Sequence, residues 1–109
     1  MIGVPRQACW LAQQAVEKAL KSVLVFLRVE FARTHDLDVL RATLPKDWRT
    51  SMEHVDLAEL SEWSVEARYP GDWPEATGGD AQTAVATARL MVCAVEGELR
   101  RHGLSVYEC

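Results

Sequence analysis

The chain has 109 residues, of which 49% are hydrophobic and 26% are charged, and its net charge is −4 at pH 7. This length suits one domain with one core, and the hydrophobic fraction excludes an intrinsically disordered chain. The negative charge argues against a protein that coats nucleic acid through non-specific phosphate contacts, but it does not exclude a nucleotide pocket. We therefore expect a single domain over residues 1–109.

The cysteines and the apolar runs give two further expectations. Cys9, Cys93 and Cys109 form no CxxC pair and have no histidine at metal-ligand spacing, which predicts reduced thiols and no metal site. The longest apolar run, residues 23–27, is too short to cross a bilayer, and the N-terminus lacks a signal-peptide pattern. We expect a cytoplasmic protein with no membrane association and no cofactor.

The first predicted element is a long helix from about Pro5 to Val29, because proline suits the first helical turn. Its polar side chains fall within an arc of about 140° on a helical wheel, which predicts a solvated face with an ion pair between Glu17 and Lys21. The wide apolar remainder predicts contact with more than one neighbouring helix. The polar residues are Arg6, Gln7, Gln13, Gln14, Glu17, Lys18, Lys21 and Arg28. The two apolar rows are Ala8, Ala12, Ala15, Ala19, Ser22 and Phe26, and Cys9, Val16, Leu20, Val23 and Leu27.

Two short helices are predicted next, over Asp36–Leu44 and over Asp56–Arg68. Pro45 ends the first of them. The second opens with an aspartate and a glutamate at capping-box spacing, and a Tyr-Pro pair closes it. We expect three tryptophans around these helices to be packing residues: Trp48, Trp63 and Trp73.

The last predicted element is a long helix from about Ala81 to His102. Asp80 is expected to cap it after an interruption at residues 78–79, residues 70–79 are expected to form a loop, and Gly103 is expected to end the helix. An apolar row at 4-3-4-3-4 spacing predicts its buried side: Ala81, Val85, Ala88, Val92, Val95 and Leu99. No window shows the alternation of a half-buried strand. Two long and two short helices predict an all-α, up-and-down helical bundle.

Three segments together resemble the HEPN family (higher eukaryotes and prokaryotes nucleotide-binding). They are residues 12–21 (AQQAVEKALK), residues 33–37 (RTHDL) and residues 68–70 (RYP) with Asp72 nearby. The resemblance implies a helical bundle that commonly forms a homodimer and associates with nucleotides or RNA. It also implies a frequent partner, a small nucleotidyltransferase, in toxin–antitoxin pairs.

Active ribonucleases related to this family typically carry an arginine, four to six further residues and then a histidine near the last helix. In such a pair the cation can stabilise the scissile phosphate while the imidazole moves a proton. Here Arg89 is followed at those offsets by residues 94–96, which include no histidine, and Arg100 and Arg101 have none either. The signature is absent from the last helix, which favours a protein without catalysis.

The same spacing occurs elsewhere, in the pair Arg28 and His35 and in the pair Arg49 and His54. Chance alone gives about one such match in a chain with this many arginines and histidines. A metal-independent ribonuclease that uses one of these atypically placed pairs is therefore an alternative function, and an interaction module without a small ligand is a third.

The candidate ligand contacts share a position at a helix end or on the polar arc: Lys18, Lys21, His35, Asp36, Arg68 and Tyr69. Each also has a structural interpretation. The lysines suit a solvated face, Thr34 or Asp36 can cap the second helix beside a locally bonded His35, and the RYP segment can simply stop a helix. Trp10, within the polar arc, suits base stacking or burial in a dimer interface.

Overall fold

The structure is a computed structural model that describes residues 3–64 and 76–104. These residues form five helices: α1 (Gly3–Phe26), α2 (Leu37–Thr43), α3 (Lys46–Arg49), α4 (Ala58–Ser61) and α5 (Gly78–Arg101). No strand occurs among them. The prediction of an all-α helical bundle with two long helices is confirmed.

The two long helices pack side by side and form most of the core. The Trp48 ring lies edge-on to Phe26 at the end of α1, with ring centroids 6.3 Å apart, and stacks on His102, just after α5, at 4.0 Å. Both long helices therefore end at the same end of the molecule. Side chains from α1, α2, α5 and the segment between α2 and α5 fill the core: Cys9, Ala12, Val16, Leu20, Val23, Leu24, Leu37, Leu40, Leu44, Trp48, Met52, Val55, Leu57, Leu60, Ala84, Ala88, Met91 and Val95.

Helix α5 begins one turn earlier than predicted. Thr77, not Asp80, is its N-cap, and the two residues form a reciprocal capping box in which each side chain accepts from the other's backbone N–H. Gly78 and Gly79 are the first helical residues rather than an interruption, because this box satisfies the free N–H groups of the first turn. Gly103 has a φ of 90° and follows the helix as predicted.

The buried side of α5 also differs from the predicted row. Ala88 and Val95 are buried as expected, but Val85 is 40% exposed. The fully packed row is Ala84, Ala88, Met91, Val95 and Glu98. Two apolar rows lie next to each other on this helix, and the row that contains Met91 is the one that packs into the core.

The short helices follow the prediction in part. Asp36 caps α2 by accepting from two backbone N–H groups, as expected. α3 is an additional helical turn that follows Pro45. Helix α4 covers only Ala58–Ser61, shorter than the predicted helix, with Asp56 accepting from the Ala58 N–H just before it; the predicted span from residue 65 onward lies outside the described residues.

Of the two cysteines that the structure describes, one differs from the sequence-based expectation. Cys9 is a free, buried thiol, and burial, followed by the nearby charges of Asp80 and Glu59, raises its pKa. Cys93 is disulfide-bonded, so the expectation of reduced thiols is wrong for this residue. Within residues 3–64 and 76–104, no helix is long and apolar enough to cross a membrane.

Candidate ligand-binding cleft

The polar arc of α1 is not the solvated face that the helical wheel predicts. Gln13 and Glu17 are both 0% exposed, whereas Lys18 is exposed. The segment before α2 covers the buried part of the arc, because the Gln13 Nε2 donates to the backbone carbonyl of His35 at 3.1 Å. Burial of a carboxylate is costly unless hydrogen bonds compensate it, so the partners of Glu17 must explain its position.

Three side chains donate to the Glu17 carboxylate. Its Oε1 accepts from Gln13 Nε2 at 3.1 Å and lies 2.6 Å from His35 Nδ1, and its Oε2 accepts from Lys21 Nζ at 3.1 Å. A contact this short to a carboxylate places the proton of that histidine nitrogen between the two atoms. The predicted ion pair between Glu17 and Lys21 is present, but it belongs to a buried network that also fixes the His35 ring.

The network keeps Glu17 ionised. Burial alone raises the pKa of its carboxyl group, but the hydrogen bonds from Gln13, His35 and Lys21, together with the charge of His35, outweigh burial and bring the pKa below the usual 4.5. The carboxylate is therefore a permanent acceptor at neutral pH that holds the imidazole in one orientation.

The lowered pKa predicts a specific loss of stability in acid. A carboxyl group with a lower pKa in the folded chain contributes stability that is complete above its unfolded pKa, near 4.5, and is lost as the pH falls through the folded value. We expect the difference in unfolding free energy between the parent chain and Glu17→Gln to be largest near pH 5 and to shrink toward pH 3. Urea unfolding of both proteins across this range measures it. A difference that stays constant from pH 5 to pH 3 would contradict the ionised network.

His35 borders an open cleft of about 450 Å³ between the start of α2 and the α4 region. The residues that line it, among those that the structure describes, are Thr34, His35, Asp36, Asp38, Ala58, Ser61, Glu62 and Ser64. Local hydrogen bonds fix its walls. Asp36 Oδ1 accepts from the N–H groups of Asp38 and Val39 at 3.0 and 3.3 Å, and the Ser61 hydroxyl accepts from the Leu37 N–H at 3.0 Å. The cleft is thus a preformed recess, mostly apolar with a few fixed polar groups, and it has a carboxylate-oriented imidazole at its edge.

Two of the six candidate ligand contacts line this cleft, namely His35 and Asp36. Lys21 reaches it only indirectly, through Glu17, and the exposed Lys18 does not border it. Arg68 and Tyr69 lie outside the described residues, as does Trp73. His35 bonds across 18 residues to Glu17, so the expectation of a purely local hydrogen bond is wrong for this side chain.

The two arginine–histidine pairs have no direct contact, although all four residues are described. Arg28, with a φ of 57°, follows the end of α1, and no hydrogen bond or ion pair joins it to His35. Arg49 lies 3.6 Å from Glu53, while His54 is exposed in the turn that follows. Within the described ranges, no group of three or more histidine, cysteine or acidic side chains is placed to hold a metal ion.

Four residues of the site were not predicted from the sequence: Gln13, Glu17, Ser61 and Ser64. A signal for the first two was present, since Gln13, Glu17 and Lys21 repeat at intervals of four and so share one face of α1. The serines carry no such pattern.

Comparison with known proteins agrees with this architecture. The family model described as HEPN domain matches residues 3–98, which is most of the chain. No curated protein and no solved structure matches it significantly. The match covers α1, most of α5 and the THDL segment that places His35 against Glu17, and the chain belongs to the HEPN domain family.

Proposed function

We propose that this HEPN protein associates with a nucleotide or with RNA, and that the ligand binds in the cleft beside His35. The observation that carries the proposal is the Glu17–His35 contact of 2.6 Å at the edge of the cleft. Because the buried carboxylate already holds the imidazole in place, ligand binding does not have to pay the entropy cost of ordering that side chain. The volume of the cleft suits one nucleotide unit.

A titration with matched histidine variants tests the proposal. We expect His35→Ala to weaken binding of ribonucleoside monophosphates or of a short single-stranded RNA by at least about tenfold, since it removes one polar contact and the group that organises the cleft wall. His54→Ala is the control, because His54 is exposed and does not line the cleft. Calorimetry with the full chain measures both. Equal affinities for the parent chain and His35→Ala would contradict the assignment of the site.

The proposal includes the formation of a homodimer by this chain. Exposed apolar side chains on α1 support this, with Leu11 at 58% and Val25 at 66% exposure, because apolar side chains on one helix face can pack against a partner. Trp10, 36% exposed, lies on the same helix. Light scattering at micromolar concentration should give twice the mass of the chain, and a strict monomer would contradict the dimer.

Association with a nucleotidyltransferase, in a toxin–antitoxin pair, is part of the same proposal and is tested by co-expression and co-purification.

Within this proposal the protein has no catalytic activity, because the last helix lacks the arginine–histidine signature. A metal-independent ribonuclease is the second candidate, and the Glu17–His35 contact favours His35 over His54 as its base. RNA cleavage in EDTA that His35→Ala abolishes and His54→Ala leaves intact would support the second candidate and displace the first.

A further inference from the structure

Helix α1 carries a second row of apolar side chains on the side opposite the core. Val16, Leu20 and Val23 are buried, whereas Leu11 and Val25 are 58% and 66% exposed. The outward row repeats at intervals of four and three residues, and all its members are exposed except the half-buried Ala8: Val4, Ala8, Leu11, Ala15, Lys18, Ser22 and Val25. We call these seven residues the outer seam. A repeat of this kind over three heptads is typical of a helix face that packs against one further helix.

Side-chain size alternates along the outer seam. One heptad position holds small residues, and the other holds larger ones: Ala8, Ala15 and Ser22, and Val4, Leu11, Lys18 and Val25. A second copy of α1 that runs in the opposite direction can face each small side chain with a large one, so that the two rows interdigitate. A parallel copy in register would place small side chains opposite small ones and leave gaps between the helices. The pattern of sizes therefore favours an antiparallel pair.

The polar members of the outer seam also favour the antiparallel direction. In a parallel pair in register, the Lys18 ammonium would face its own counterpart, and the two like charges would repel each other. In an antiparallel pair, Lys18 faces a small side chain, so its aliphatic stem packs on the seam while the ammonium group reaches water at the rim. The Ser22 hydroxyl already donates to the Lys18 backbone carbonyl at 2.7 Å, so its burial in an interface leaves no donor unpaired.

We propose that the outer seam binds the outer seam of a second copy of this chain, with the two α1 helices side by side and antiparallel. This inference rests on the homodimer of the proposed function, and it states which face forms the dimer and in which direction the helices run. The seam is about 32 Å long at 1.5 Å per residue, and a second copy presents a helix face of equal length. Ala15 lies near the middle of the seam and therefore near the two-fold axis of such a dimer.

Light scattering of two matched alanine variants tests which face forms the dimer. Ala15→Glu places a carboxylate in the middle of the outer seam and should weaken self-association by at least about hundredfold, which leaves a monomer at micromolar concentration. Ala86→Glu is the control, because Ala86 is an exposed alanine within the other long helix, and this variant should remain a dimer. Circular dichroism during thermal unfolding should show that both variants are folded, since glutamate is a good helix former at exposed positions.

Crosslinking tests the direction of the helices, with Ala15→Cys and Val4→Cys treated with a thiol crosslinker of about 10 Å and the parent chain as the blank. In an antiparallel pair that faces small with large side chains, two copies of residue 15 lie about 10 Å apart, and two copies of residue 4 lie at least about 27 Å apart. We therefore expect a crosslinked dimer, above the blank, for Ala15→Cys alone.

Three results would count against the antiparallel pair. Equal crosslinking at both positions would show a parallel pair, and crosslinking at neither position, or a dimer that survives Ala15→Glu, would show that a different face forms the dimer. Each of these would overturn this inference but not the homodimer. A parent chain that is a strict monomer would overturn both and would leave the outer seam to a different protein.

Discussion

Replacing Trp48 by alanine should destabilise the protein by about 3–5 kcal/mol, the usual cost of deleting a buried aromatic side chain. Trp48 is 2% exposed and joins the ends of both long helices, through its edge-on contact with Phe26 and its stacking on His102. Its loss opens a cavity where α1 and α5 meet the α3 turn. Thermal or urea unfolding followed by circular dichroism measures the effect.

Trp10 provides the matched control for this prediction. It is the same residue type on α1, but it is 36% exposed and is not part of the core. Trp10→Ala should cost less than half as much as Trp48→Ala, since less apolar surface is lost from the interior. Similar costs for the two substitutions would show that Trp48 does not join the helices as described.

Replacing Glu17 by alanine should destabilise the protein by about 2–3 kcal/mol, because it removes the acceptor that Gln13, His35 and Lys21 share. The buried Gln13 amide would lose a partner in the interior. The side chains of His35 and Lys21 are partly exposed and can regain water, which keeps the cost below that of a fully buried ion pair.

Glu53→Ala is the control for the Glu17 substitution. Glu53 also faces a basic side chain four residues away, Arg49 at 3.6 Å, but the carboxylate is 56% exposed. An exposed pair of this kind contributes less than about 1 kcal/mol. If the two glutamate substitutions cost the same, Glu17 is not the buried centre of a network.

Helix periodicity predicted the bundle because burial sets the spacing of apolar residues. The rows containing Val16 and Leu20 on α1, and Ala88 and Val95 on α5, are in the core as the spacing requires. Val85 was assigned incorrectly, because two neighbouring apolar rows fit the same spacing and only the packing between helices decides which row is buried.

The candidate site was harder to predict, because it depends on contacts between distant residues. The resemblance drew attention to His35 and Asp36, both of which line the cleft. A helical wheel treats Glu17 as solvated, since it cannot represent the segment before α2 that covers this face and donates through His35. No sequence pattern distinguishes Ser64, and its place in the cleft lining becomes visible only in the folded structure.

The most direct test of the central claim is to locate the bound ligand on the protein. Isotope-labelled protein is titrated in turn with the ribonucleoside monophosphates and with a short single-stranded RNA, and amide chemical shifts are followed by NMR. The account predicts saturable shifts concentrated within residues 34–38 and 58–64, the two segments that contribute the described lining of the cleft, and their weakening in His35→Ala. Saturable shifts centred instead on residues away from these two segments, or no shift with any monophosphate or with the RNA, would contradict it.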